Sequence, residues 1–170
     1  MFGVWITGIP SSGKSTVTRE LITLLHERGI HPAVLESDSL RKVLTPEPTY
    51  RTAERDRFYQ QMADLGILIV RWGVPVVFDA TANRRLYRDR ARLSISCFLE
   101  VLITCPIEEC KKRDPKGIYA AAVSGDASNV PGVQVDYEPP LVPDLTLDGR
   151  MPARDNARKI IEKLRERDCI

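Results

Sequence analysis

Eight residues near the amino terminus, Gly8-Ile-Pro-Ser-Ser-Gly13-Lys14-Ser15, limit what this chain can fold into more than any other feature. They fill the pattern G-x-x-x-x-G-K-[ST] without a gap, a pattern that has physical meaning only between a strand and a helix. Both flanks are right. Phe2–Thr7 is short, apolar and β-branched, while Lys14–Arg28 carries Val17, Leu21, Leu24 and Leu25 at helical spacing. The glycines let backbone N–H groups curl around phosphates, and the helix that follows adds its partial positive charge. On this reading Gly8, Ser11, Ser12, Gly13, Lys14, Ser15 and Thr16 bind the phosphates of a nucleotide. Lys14 reaches the β- and γ-phosphates, and the Ser15 hydroxyl ligates magnesium.

The rest of the chain alternates in kind. Gly29 closes the first helix as a C-cap. Strands are expected at Pro32–Leu35, Val74–Phe78, Phe98–Thr104 and Leu145–Leu147, and helices at Thr52–Trp72, Arg84–Leu93, Pro106–Arg113 and Ala153–Arg167. The Val74–Phe78 run is apolar throughout, as a strand covered on both faces must be. The alternation predicts an α/β fold: a doubly wound, parallel, five-stranded sheet with helices on both faces, ligands sitting at the carboxyl ends of the strands. With 170 residues and neither linker nor repeat, a single domain over 1–170 is expected. Between Asp114 and Pro143 the periodicity fails, Gly and Pro recur, and Ala120–Val123 is the only helical hint. An irregular stretch of that length inside a compact domain is functional rather than filler, and it is read as a lid over about 114–143.

The net charge of +2 argues against a nucleic-acid footprint. No apolar run approaches the roughly 20 residues of a membrane span, and no charged and apolar leader precedes the first strand, so a cytoplasmic protein is expected. Cys97, Cys105, Cys110 and Cys169 lack the spacing of a zinc site and are expected as free thiols.

The kind of nucleotide protein follows from what accompanies the loop. There is no Asn/Thr-Lys-x-Asp element of the GTPases, and Asp114-Pro-Lys-Gly117 comes too late to serve as a switch. One phosphate loop, a short chain and a late lid fit an ATP-dependent kinase of a small acceptor. In Asp38-Ser-Leu-Arg41 the carboxylate either accepts the acceptor's hydroxyl proton or holds magnesium, or opens a short helix as its cap. Arg41, one turn on, faces the same way and suits an anionic acceptor. Asp79, ending a strand, is placed to hold magnesium through water or to cap a turn, and Glu36 is the weaker acid. Arg84, Arg85, Arg88, Arg90 and Arg92 crowd one helix and read as a solvated face, with Arg85 alone as a ligand. Arg113 stands just before the lid, where a cation stabilises charge on a moving phosphoryl group. Tyr50 either stacks on a base or belongs to the core.

Over about Val4 to Asp148 these residues resemble the adenylylsulfate (APS) kinase family. The most specific pieces are the phosphate loop, Tyr87-Arg-Asp-Arg-Ala-Arg92 and Arg113-Asp-Pro-Lys-Gly-Ile-Tyr119, followed by Gly125, Asn129, Gly132 and Tyr137-Glu138. The family's Asp-Gly-Asp-Asn-x-Arg stands here as Glu36-Ser-Asp38-Ser-Leu-Arg41. The resemblance implies transfer of the γ-phosphate of ATP to the 3′-hydroxyl of APS, giving PAPS, with Asp38 as the catalytic, magnesium-linked acid. It implies acceptor binding by Arg41 and Arg55, a Tyr50 stacked on the acceptor's adenine, and a homodimer. Departures cluster on the acceptor side. Phe58 replaces an Asn, Asp79-Ala-Thr-Ala-Asn83 replaces Ser-Phe-Ile-Ser-Pro, Val130 replaces a lid Phe and Ser128 a lid Lys. The expected catalytic set is Lys14, Asp38 and Arg113, and the expected magnesium set is Ser15, Asp38 and Asp79. The expected acceptor set is Arg41, Tyr50, Arg55, Phe58, Ala82, Asn83, Arg85, Lys116 and Val130. Three alternatives stand beside APS phosphorylation: another nucleotide-like or anionic hydroxyl acceptor, a catalytically silent nucleotide-binding regulator, and a kinase of nucleic-acid ends.

Overall fold

The computed structural model describes residues 1–49, 51–127 and 129–170. Along the chain run β1 (Phe2–Thr7), α1 (Lys14–His26), β2 (Ala33–Glu36), α2 (Ser37–Leu44), α3 (Thr52–Arg71) and β3 (Val76–Asp79). There follow α4 (Arg85–Ser94), β4 (Cys97–Thr104), α5 (Ile107–Arg113), α6 (Ile118–Ser124), β5 (Leu145–Asp148) and α7 (Ala153–Glu166). The five strands form one parallel sheet in the order β2-β3-β1-β4-β5. The chain fills the side of β1 that holds β2 and β3 first, then crosses from β3 to β4 on the other side, and the crevice at the carboxyl end of β1, where the order reverses, is where such sheets bind ligands.

The two-residue period of β1 explains the layers. Phe2, Val4 and Ile6 face α1 and α7, where Leu21, Leu25, Ile160 and Leu164 complete one core. Trp5 points the other way, into a second core with α3 and α4. Its indole stacks on Phe78 at 4.5 Å between ring centroids. Helix α3 seats over that pair because position 66 has no side chain: a Cβ on Gly66 would lie 2.2 Å from the Phe78 ring. With both faces covered, every residue of β1 is buried.

Several boundaries differ from expectation. Strand β3 starts after Pro75, which has no N–H to donate, and runs on through Asp79, which pairs with Ile6 and Glu36. The lid contains a helix, α6, longer than the hint at Ala120–Val123. Its start is tied by the Asp114 carboxylate, which accepts hydrogen bonds from the backbone N–H of Tyr119 (2.9 Å) and Ala120 (3.0 Å).

Two expectations need correction. Cys105 and Cys110 are free thiols, but Cys97 and Cys169 form a disulfide with their Cα atoms 6.0 Å apart. After α7 the chain turns back, Cys169 N–H donating to Leu164 O, and this sets Cys169 against the first residue of β4. Nor are the arginines of α4 one solvated face. Arg90 pairs with Asp64 on the surface, but Arg88 is wholly buried against Glu100, and Arg92 bridges Glu100 and Asp144. Among the described residues no helix is long and apolar enough to cross a membrane.

Candidate active site

At the carboxyl ends of β1 and β3 lies a cleft of about 860 Å³, lined by the phosphate loop, the first turn of α2, α3 and the lid. Its floor is the turn from Gly8 to Ser15. Gly8 has a positive φ of 152°, and a Cβ there would sit 2.5 Å from the Ile103 carbonyl oxygen. Gly149, in the turn between β5 and α7, abuts the loop so closely that a Cβ would lie 1.9 Å from Ser12 O. The loop is thus clamped from below and leads straight into the start of α1, and a helix N-terminus is a ready anion site. Among the described residues the buried Ser12 hydroxyl has no hydrogen-bond partner, and Ser11 holds a left-handed φ of 60°, a strained arrangement typical of ligand-binding turns. These features fit phosphate.

Lys14 lies across this floor and donates to its own loop's Ile9 carbonyl at 2.8 Å. Burial pushes its ammonium down to about 8, while the nearby Asp79 carboxylate pulls it back up. Incoming phosphates add negative charge and so favour the ammonium form. Asp79 ends β3 almost wholly buried. Burial raises its carboxyl, opposed by the Lys14 charge and a hydrogen bond from Ser15. Ser15, Asp79 and Asp38 all line the cleft and offer hard oxygen donors, the donor class magnesium takes together with phosphate oxygens.

Asp38, in the first turn of α2, is exposed and ion-paired with Lys116 of the lid. Arg41 and Arg55 are each only 8% exposed. The Arg41 guanidinium lies 4.0 Å over the Phe58 ring and pairs with Glu54 at 3.1 Å. Arg55 donates to the Asn129 carbonyl at 2.9 Å, and no salt bridge joins it to a carboxylate of the described residues. Arg113 reaches the Gly149 carbonyl at 2.9 Å and Glu109 at 3.2 Å, which sets it beside Gly13. The lid is anchored to the loop by Tyr119, whose hydroxyl donates to Pro10 O at 2.8 Å.

The structure thus gathers Lys14, Ser15, Asp38, Arg41, Arg55, Asp79, Arg113, Lys116 and Val130 in one cleft. It does not bring Phe58, Ala82, Asn83 or Arg85 into the lining. Phe58 is wholly buried beneath Arg41, and Ala82 is wholly buried behind Thr81. Asn83 spends its amide on Asp136 O (3.0 Å), and Arg85 reaches the Pro139 carbonyl (3.2 Å). Tyr50 and Ser128 lie outside the described residues. Sequence reasoning missed Glu54, Tyr59 and Thr81. Glu54 left a signal, since an acid just before Arg55 and across from Arg41 is a natural counter-ion. Thr81 left none, because only the path of the loop after β3 turns it to the cleft.

Comparison with known proteins agrees with this geometry. The adenylylsulphate kinase family model matches residues 1–148. The adenylyl-sulfate kinase of Shewanella baltica OS195 is 36% identical over 147 residues, covering 85% of this chain and 72% of that protein. That of Halothermothrix orenii is 34% identical over 168 residues, covering 98% and 91%. Among solved structures, the Mycobacterium tuberculosis APS kinase CysC in complex with AMPPNP and APS superposes with a TM-score of 0.89 at 32% identity, covering 96% of both chains. A shikimate kinase from Acinetobacter baumannii, 18% identical with a TM-score of 0.64, shares the fold alone. The family model spans the phosphate loop, the acidic segment after β2 and the stretch read as a lid, and relatives above 30% identity cover most of this chain and of their own, so this chain is a kinase and belongs to the adenylylsulphate kinase family.

Proposed function

We propose that this chain transfers the γ-phosphate of ATP to the 3′-hydroxyl of APS, giving PAPS, with magnesium bound. The observation that carries the reading is the pairing of two anion sites in one cleft. The phosphate loop and two buried arginines, Arg41 and Arg55, line the same cleft together with the exposed Asp38. Ser15, and through water Asp79 or Asp38, would hold a magnesium ion, which would supply charge neutralisation on the phosphates.

The chain's own residues do the rest. The loop N–H groups and Lys14 orient the phosphates, and Lys14 holds charge that builds on the transferred group. Asp38 accepts the acceptor's hydroxyl proton, a role that requires Lys116 to exchange its pairing for a phosphate or solvent. Arg55 is desolvated with no carboxylate partner among the described residues, so an acceptor phosphate or sulfate relieves that cost. Arg41, stiffened by Phe58 and Glu54, presents a fixed fork to the same anion. Tyr119 and the segment beyond it keep water from the phosphoryl group.

Coupled ATP turnover with APS tests this. Efficient turnover, lost in Asp38→Ala, is the expected result; silence with APS would sink the acceptor assignment. A second reading, another anionic hydroxyl acceptor, is favoured by the apolar Val130 and Pro131 at the acceptor end and by Phe58 in place of a polar residue. Turnover with another member of a nucleotide and hydroxyl-compound panel would select it.

A further inference from the structure

Arg88 is wholly buried in α4 and reaches no part of the cleft. Its guanidinium nevertheless joins two segments that do. Nε donates to Glu100 Oε1 at 2.6 Å and Nη2 to the Glu138 carbonyl at 2.7 Å. Nη1 donates to the Ala82 carbonyl and, at 3.4 Å, to that of Arg84. Ala82 belongs to the loop after β3 that turns Thr81 to the acceptor end. Glu138 belongs to the segment by which the lid, after Asn129–Pro131, returns to the body.

The two segments are stitched together around this group. Glu138 N–H donates to Asn83 O at 2.7 Å, its carboxylate accepts from Arg85 N–H at 2.9 Å, and the Asn83 amide donates to Asp136 O at 3.0 Å. Tyr137 OH lies 3.1 Å from the Thr7 hydroxyl, which donates to Thr81 O at 2.7 Å, linking the hinge to the end of β1. Ala82 keeps a left-handed φ of 40°, unfavourable for any residue with a side chain. Such backbone persists only where its surroundings over-determine it, and the grip on its carbonyl does so here.

We propose that Arg88 is a positioning residue for the phosphotransfer: it mounts the carboxyl-terminal hinge of the lid on the wall of the acceptor end, so that lid closure and acceptor alignment are one movement. The inference rests on the kinase reading of the cleft. A planar fork is required, because one cation must meet a carboxylate and two separated carbonyls at once, which a lysine ammonium on its flexible stem does not. Glu100 neutralises the charge, so removing both charges together leaves no unpaired ion in the core.

The test compares the wild-type chain with Arg88→Lys and the double variant R88M/E100Q. Amide hydrogen exchange is followed without ligands, and steady-state constants are measured with ATP and APS. In both variants exchange over 129–138 and 79–84 is expected to rise about tenfold while β1 and β4 keep their protection. The acceptor KM is expected to rise about tenfold and kcat to fall, with the ATP KM within about twofold of wild type. Failure of the lysine variant to restore the wild-type constants separates the fork from mere charge. Unchanged exchange and constants would overturn the proposal. So would loosening of the whole sheet with both KM values rising together, the mark of a purely structural role. If wild type is silent with APS, the acceptor assignment fails on that result, and the ligand-free exchange over 129–138 still decides the role of Arg88.

Discussion

Arg55 shows how much one side chain depends on its surroundings. Its guanidinium is desolvated, and no salt bridge among the described residues balances it. Arg41, equally buried, has Glu54 and the Phe58 ring. Arg55 therefore has more to gain from an anionic acceptor. Arg55→Ala is expected to raise the acceptor KM by roughly ten- to a hundredfold, the range of one charge-assisted contact, and to leave the ATP KM unchanged; steady-state kinetics with each substrate varied in turn checks it. Position 66 gives a stability counterpart. Alanine in mid-helix gains up to about 1 kcal/mol over glycine. Here its methyl group would meet a Phe78 ring that Trp5 holds by stacking and that cannot swing away. Overpacking wins, so Gly66→Ala is expected to destabilise by about 1–3 kcal/mol, read from urea unfolding.

At the scale of elements, the segment read as a lid is the part whose irregularity was legible and whose structure was not. Its extent followed from failed periodicity and recurrent Gly and Pro. Its helix depends on Asp114 reaching Tyr119 and Ala120, and its seat on the loop depends on the Tyr119 hydroxyl meeting Pro10 O. Neither contact has a periodic signature. Tyr119→Phe removes one hydrogen bond worth roughly 1 kcal/mol, so the open lid should become about fivefold more populated. The expected results are faster proteolysis between 114 and 138 and a rise in acceptor-independent ATP hydrolysis, seen by gel and by phosphate release. Helix α4 teaches the converse. Arg84 and the four arginines of α4 read mostly as a solvated face, yet Arg88 has no exposure at all. Composition cannot separate these cases, because Glu100 and the two carbonyls that satisfy Arg88 come from other elements.

For the whole molecule, the Cys97–Cys169 bond closes a separation of 72 residues and ties the end of the chain to the central sheet. In the loop-entropy account such a closure contributes about 4 kcal/mol, so reduction is expected to lower the melting temperature by roughly 10 °C. Mass spectrometry after alkylation checks the pairing independently. Cys110 is buried and its thiol is pushed up to about 12, chiefly by burial, so at pH 8 it carries almost no thiolate. One adduct, on Cys105, is expected in the folded protein, two in denaturant without reductant, and four after reduction.

What the sequence determined alone is whatever chemistry fits within one turn or one period. The phosphate loop presents backbone groups of eight consecutive residues between a strand and a helix, so spacing is geometry there. The alternation of strand and helix likewise implied a parallel sheet with a cleft at its carboxyl edge. Tertiary structure decided everything assembled from distant pieces. It set which arginines line the cleft and which serve the core, and why Phe58 lies under Arg41 rather than in the cleft. It also brought Cys97 to Cys169. The reason is physical: a side chain's role depends on what burial removes from water and what partner meets it there, and those partners come from elements far apart along the chain.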